Sequence, residues 1–271
     1  MIDTLMLAAI LRDAAKAEIL PRFRRLSADD IQQKSSATDL VTEADTEAER
    51  VIKAEIERLW PGTLFVGEES VAADPSLLDR LGAADVAITV DPVDGTANFA
   101  AGLPLFATMA SVVVKGEVTA GIIYDPMGDD WHIAERGAGA WLHRPGEAPQ
   151  RLKVSTPRPL SATIAHVSIG FLSPEQKARV LPNLSKLAIS ANYRVAGHDY
   201  RTFASGHCQT VMFNKLMPWD HLPGTLIAEE AGGYVAKFDG SPYRVTDFSG
   251  GLLIATDPDS WAVLRREVYA F

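Results

Sequence analysis

The 271-residue chain has a single cysteine, Cys208. One thiol cannot form an intramolecular disulfide, and no cysteine-based zinc site can be assembled around it. That fits a reducing compartment. Positive charge is also short: 26 Lys and Arg stand against 35 Asp and Glu, for a net charge of −9. A nucleic-acid binder needs a basic footprint, and none is visible. The same acidity argues against an anionic membrane surface, and no stretch is long and apolar enough to span a bilayer. Residues 1–25 interleave Leu and Ala with Asp3, Asp13, Lys16 and Glu18, with no basic segment leading into an apolar run. No signal peptide is therefore expected, and the cytoplasm is the default location. Acidity poses a difficulty for anionic substrates, which such a site would repel. A bound divalent cation would remove it by reversing the local field.

What is present is an ordinary globular mix, 47% hydrophobic and 23% charged, enough for a sizeable core. Leu7, Ile10, Leu11, Ala14 and Ala17 recur at helical spacing and predict a helix ending near Pro21. A second helix is expected over 42–60, stopped by Pro61-Gly62. Strands are expected at 63–66 and 86–90, then at 106–114 and 118–124, split by a hairpin signal at Lys115-Gly116-Glu117. Further strands continue around Gly137 and Gly139. The first half reads as two helices with a largely antiparallel sheet. Beyond Gln150, strands at 163–167, 189–195, 210–214, 234–236 and 252–255 alternate with helices at 174–186, 199–205, 219–231 and 258–269, which suggests α/β layering. The halves are 1–150 and 151–271, with a soft boundary near 145–160.

Acidic residues gather at the ends of these elements. Asp91-Pro92-Val93-Asp94-Gly95-Thr96 follows an apolar strand directly. Pro92 fixes one backbone angle and Gly95 permits an unusual one, so the two aspartates can converge. If a helix starts next, the amides of Gly95 and Thr96 can face a phosphate, and carboxylate with phosphate oxygens is the preferred setting of Mg²⁺. Glu68-Glu69 ends the strand at 63–66, Asp220 opens a helix, and Asp45 sits early in the helix 42–60. Each has a plain alternative. Asp-Pro and Asp-Gly are common turn dipeptides, Glu68-Glu69 can be a solvated pair, and Asp220 and Asp45 can be helix N-terminal charges, the latter beside an N-cap at Thr42. Their joint occurrence favours a site.

Four stretches carry a resemblance: D-L-V-T-E-A-D at 39–45, G-E-E-S at 67–70, D-P-V-D-G-T-A-N-F at 91–99 and W-D-H-L-P-G-T-L-I-A-E-E-A-G-G at 219–233. In order and spacing they closely resemble the inositol monophosphatase family of lithium-sensitive, Mg²⁺-dependent phosphatases, over nearly the whole chain. The resemblance implies an α/β (α+β) fold layered α-β-α-β-α, and hydrolysis of a small phosphomonoester by an activated water. It implies two to three Mg²⁺ ions, with Mn²⁺ as a substitute. Glu68, Asp91 and the Val93 carbonyl would hold the first, Asp91, Asp94 and Asp220 the second, and a weaker third would lie near Glu68. Thr96 and Asp45 would activate the water, with Glu69 in support. Lys34 lies where the family often has a basic residue, or is simply solvated. Members are commonly homodimers, and Arg194 is a candidate for a subunit contact.

Departures concern specificity. The family's Arg-x-x-Gly-Ser/Thr-Ala stretch reads Arg194-Val195-Ala196-Gly197-His198-Asp199 here. The position of the inositol-binding Glu is Phe213, which a core would also accept, and His221-Leu222-Pro223 replaces small residues. His198 and Asp199 are candidates for substrate contacts or for a helix cap. Histidinol phosphate, fructose 1,6-bisphosphate and 3′-phosphoadenosine 5′-phosphate are alternative substrates to inositol phosphate. A non-catalytic interaction protein retaining the fold is the rival from another class.

Overall fold

The computed structural model describes residues 2–26, the backbone of 31–33, and residues 40–271. Lys34 and Asp39 lie outside the described residues. Helix α1 (Thr4–Ala14) starts at Asp3, whose Oδ1 accepts the Met6 N–H at 2.9 Å. It runs on through a wider turn at Ala15–Ile19 and a tight one at Leu20–Arg22, where Pro21 halts it. A short antiparallel ribbon, β1 (Ile31–Gln33) with β2 (Leu40–Thr42), leads into α2 (Glu43–Leu59).

These two helices cover one face of a seven-stranded sheet of order β3-β4-β5-β6-β7-β8-β9. It is built from β3 (Leu64–Gly67) and, after the short helices α3 (Glu68–Ala73) and α4 (Ser76–Leu81), from β4 (Val86–Asp94). After α5 (Thr96–Ala100) come β5 (Ala107–Val114), β6 (Glu117–Asp125), β7 (Asp130–Glu135), β8 (Gly139–His143) and β9 (Gln150–Arg151). Only β3 runs parallel to its neighbour. The central strands are buried on both faces, which is why they read as unbroken apolar runs. Ile88 and Val90 pack toward Leu11, Ile52 and Ile56, whereas Ala87 joins the core on the opposite side.

The second sheet has the order β11-β10-β12-β14-β13. It is formed by β10 (Ile164–Val167), then, after α6 (Pro174–Asn183), by β11 (Ile189–Ala191). After α7 (Ala196–Ala204) comes β12 (Thr210–Phe213), and after α8 (Pro218–Glu230) come β13 (Tyr234–Lys237), β14 (Leu252–Ala255) and α9 (Pro258–Glu267). Strands β11, β10 and β12 run parallel, while β14 is antiparallel to both its neighbours. Three apolar cores separate the layers. α1 and α2 pack on the first sheet, α7 and α8 fill the space between the sheets, and α6 and α9 close the outer face of the second. This is the α-β-α-β-α arrangement, with the middle core shared by both halves of the chain. Helix α7 begins at Ala196 rather than at 199, and β11 ends at Ala191, so 192–195 forms a loop.

Candidate metal centre

Strand β4 leaves its apolar stretch through Asp91-Pro92-Val93-Asp94. Asp91 pairs with Met109 and Asp94 with Ala107, so β4 spends one residue more than β5 across this interval. In a regular strand, positions three apart face opposite ways. The extra residue makes a bulge that turns Asp94 to the side of Asp91. Pro92 has no N–H for the ladder and is tolerated at such a place, and its carbonyl accepts from Thr108 Oγ1 at 2.9 Å. Asp220 arrives from the first turn of α8, behind Pro218. One oxygen from each of Asp91, Asp94 and Asp220 lies within 4.8 Å of the other two.

These carboxylates are costly as they stand. Burial raises the Asp91 carboxyl well above the ordinary aspartate range, and Glu68, Asp94 and Asp220 add repulsion. Burial and Asp220 raise Asp94 likewise, opposed by amide bonds from Gly197 and Ala196. Oδ1 of Asp91 is buried without a hydrogen-bond partner among the described residues. An all-oxygen, acidic donor set with an unsatisfied buried oxygen fits a hard divalent cation such as Mg²⁺ or Mn²⁺. Gly197 is required beside it, since a Cβ there would lie 2.9 Å from Asp94 Oδ2 and 2.8 Å from Ala107 Cβ.

The centre opens into a cleft of about 550 Å³ lined also by Glu68, Val93, Gly95, Thr96 and Asp199. Glu68 is the first residue of α3. It stands outside the 4.8 Å trio, yet its charge is the largest raising Asp91 after burial. Glu69 is not among the lining residues, and its charge acts on Asp45. Gly95 has φ +88°, a left-handed value that precedes α5, and a Cβ would come within 3.1 Å of Leu105 O and Val195. Thr96 Oγ1 donates to Asp45 Oδ1 and to the Val93 carbonyl, both at 3.0 Å. Asp45 also accepts from Thr42, at 2.9 Å from its N–H and 2.6 Å from its hydroxyl. The helix-cap reading and the pairing with Thr96 therefore hold together. Burial pushes the Asp45 carboxyl up to about 7.

His198 is not brought into the cleft. Helical geometry points adjacent residues about 100° apart, and on α7 it is Asp199 that lines the cleft. His198 Nε2 instead meets the Phe106 carbonyl at 3.1 Å. Phe213 does both things expected of it, stacking on Tyr200 at 5.1 Å in the core and lining the cleft.

Sequence reasoning missed Glu49. Its buried carboxylate accepts the N–H groups of Glu69 and Ser70, each at 2.7 Å, and so holds the start of α3. The signal was present: Glu49 lies one helical turn from Asp45, beside the buried stripe Ala44, Ala48 and Ile52. Asn98, which donates to Tyr193 O and Leu105 O, lay within the 91–99 motif without a role being read for it, and His166, at 2.8 Å from Asp199, carried no such signal.

Comparison with known proteins places the chain in a family. A model of the inositol monophosphatase family matches residues 4–268. The chain belongs to that family. It is 33% identical over 263 residues to "Nus factor SuhB" of Salmonella typhimurium strain LT2, covering 93% of this chain and 91% of that one. It is 29% identical over 236 residues to the "Fructose-1,6-bisphosphatase/inositol-1-monophosphatase" of Thermotoga maritima, 83% of each chain. Among solved structures, the extragenic suppressor protein suhB of Bartonella henselae superposes with a TM-score of 0.81 at 26% identity, covering 98% of both chains. The Thermotoga maritima IMPase gives the same TM-score at 24% identity over 97% and 96%, a likeness of fold. Membership of the family carries the phosphatase-type fold. The Nus factor name of these relatives gives no support to the expectation that nucleic acid is excluded as a partner. Among the described residues, no helix is long and apolar enough to cross a membrane.

Proposed function

We propose that this chain is a Mg²⁺-dependent phosphomonoesterase acting on a small phosphate ester. The observation that carries the reading is the buried trio Asp91, Asp94 and Asp220, three like charges drawn together around an unsatisfied Asp91 oxygen. Like charges this close remain ionised only against a cation. Asp91, Asp94 and Asp220 would hold one ion, and Glu68, Asp91 and the Val93 carbonyl another. When bound, Mg²⁺ supplies the positive charge that offsets the phosphate oxygens and the leaving oxygen.

The chain's own groups do the rest. Thr96 Oγ1 orients a water at the cleft and can pass its proton to Asp45 Oδ1, 3.0 Å away. Asp45 suits that task, because burial places its carboxyl near neutrality. Arg194 and Lys215, exposed at the cleft, attract the dianionic substrate. Phe213, Ile169 and Phe171 exclude water from its organic part.

The test is phosphate release from a panel of inositol, sugar, nucleotide and amino-alcohol phosphates, with Mg²⁺, with EDTA, and with added Li⁺. Hydrolysis of at least one ester that EDTA abolishes is expected. A second reading comes from the relatives named Nus factor SuhB. A chain inert toward every ester in Mg²⁺ and in Mn²⁺ would leave that reading standing alone.

A further inference from the structure

Asp199 lines the cleft, yet it is 3% exposed. Its Oδ1 lies 2.8 Å from Nδ1 of His166 on β10. That imidazole is 1% exposed and packs against Tyr193 with ring centres 4.3 Å apart. The wall of the cleft thus contains a buried carboxylate whose direction is set from behind. It does not belong to the trio whose oxygens meet within 4.8 Å, although its charge reaches Asp94.

A carboxylate in this position repels a phosphate dianion and cannot help to bind it. It can only accept hydrogen bonds, and burying it is expensive unless a partner compensates. His166 offsets only part of that cost: its Nδ1 stands 2.8 Å from Oδ1, yet neither atom makes an aligned hydrogen bond among the described residues, and burial still holds the Asp199 carboxyl above its ordinary range. The cations of the cleft, Arg194 and Lys215, are exposed rather than buried with it. The remaining neighbours on this wall include Phe213 and Val195, both apolar. The complement of such a surface is a short methylene chain ending in a positively charged donor, which gains a charge-assisted bond as well as apolar contact.

We propose that Asp199, positioned by His166, selects phosphate esters whose organic part carries an ammonium group on a short chain. The proposal rests on the phosphomonoesterase reading, and it names the substrate class for that same cleft. Asp199 touches the substrate, while His166 acts through Asp199 as a positioning residue. An aspartate paired with histidine for packing alone would give no discrimination between ligands of equal size.

The experiment uses phosphonates, which bind but are not hydrolysed. Calorimetric titration of the full chain in Mg²⁺ compares 2-aminoethyl- and 3-aminopropylphosphonate with propyl- and butylphosphonate, their near-isosteres. At least one amine should bind about tenfold or more tightly than its isostere, the scale of one charge-assisted hydrogen bond. In D199N that ratio should fall toward one. In H166A it should fall part of the way, with H166N, which keeps a donor, restoring it. Equal affinities in the wild-type protein would overturn the proposal, as would a ratio that D199N leaves intact. 2-Hydroxyethylphosphonate binding as tightly as the amine would overturn the cationic assignment. If D199N fails to fold, the fall in H166A and its restoration in H166N carry the assignment to Asp199, and equal wild-type affinities still overturn it. Because binding needs no turnover, a ratio near one with active hydrolysis sinks only this proposal. Selective binding without hydrolysis of any ester sinks only the phosphomonoesterase reading.

Discussion

Asp91 sits under repulsion from three neighbouring carboxylates. It is buried, it faces Glu68, Asp94 and Asp220, and its Oδ1 has no hydrogen-bond partner among the described residues. Asp91→Asn would remove the charge shared by both proposed ion positions. Its kcat in Mg²⁺ should drop at least about a thousandfold, roughly 4 kcal/mol of barrier, and near-normal turnover would refute the shared role. Asp45 makes a different prediction. Burial lifts its folded-state carboxyl to about 7, Glu68 and Glu69 add repulsion, and bonds from Thr42 oppose the rise. In the unfolded chain it ionises near 4. The folded state therefore holds this proton more tightly. The stability it contributes is whole below about pH 4 and is lost as pH climbs through about 7. Asp45→Asn cannot ionise, so in EDTA its melting temperature should fall less between pH 5 and 8 than the wild type's. Parallel curves would mean that Asp45 titrates near its ordinary value.

Two helices each supply a ligand and are held in place by residues that are not ligands. Helix α3 carries Glu68 and is anchored through Glu49, which takes the N–H groups of Glu69 and Ser70 and the Ser70 hydroxyl. Glu49→Gln loses an acceptor there and should cost about 1–2 kcal/mol of stability. It should also weaken Mg²⁺ binding in a calorimetric titration, and unchanged affinity would show that Glu68 is placed by other contacts. Helix α8 carries Asp220 and lies across β6, where Gly121 faces Pro223. A Cβ at Gly121 would stand 2.5 Å from the Pro223 carbonyl oxygen. Gly121→Ala must push α8 off the sheet, at about 1–3 kcal/mol, and Asp220 with it. A melting temperature within a degree of the wild type's would contradict this packing. The large residues after Trp219-Asp220 thus have a structural reason: His221 bonds Tyr200 and the Lys215 carbonyl, and Pro223 meets a glycine.

For the whole molecule, the metal centre joins segments from both halves, with Asp91 and Asp94 from the first sheet and Asp220 from the helix between the sheets. A cation bound there ties the middle layer together. An ion that binds only the folded chain stabilises it by about 2.7 kcal/mol at a hundred times its Kd. For a chain of this size that corresponds to a rise in melting temperature of about 5–10 °C. Mg²⁺ should produce it and EDTA reverse it, and a melting temperature indifferent to millimolar Mg²⁺ would count against the centre. The core between the sheets contains residues from β5 and β6 as well as from α7 and α8, so the effect should appear in a single transition.

The identity of the acidic groups was legible in the sequence, because hard-cation chemistry needs carboxylates and each motif ends an element that hydrophobic periodicity already marks. Asp91, Asp94, Asp220 and Glu68 could be named without coordinates, and the Thr96–Asp45 pair only through the family resemblance. Their convergence could not. The bulge opposite Thr108 decides that Asp91 and Asp94 share a side, and nothing local in Pro-Val announces the pairing with β5. Adjacent letters His198-Asp199 look equivalent on paper, but the rotation of α7 sends one to Phe106 and the other to the cleft. Glu49, Asn98 and His166 act on residues about 20 to 95 positions away. Local preferences specify which segments become helices and strands and where they stop. Packing between layers decides which distant side chains meet, since apolar burial is non-directional and only the assembled shapes fix the contacts.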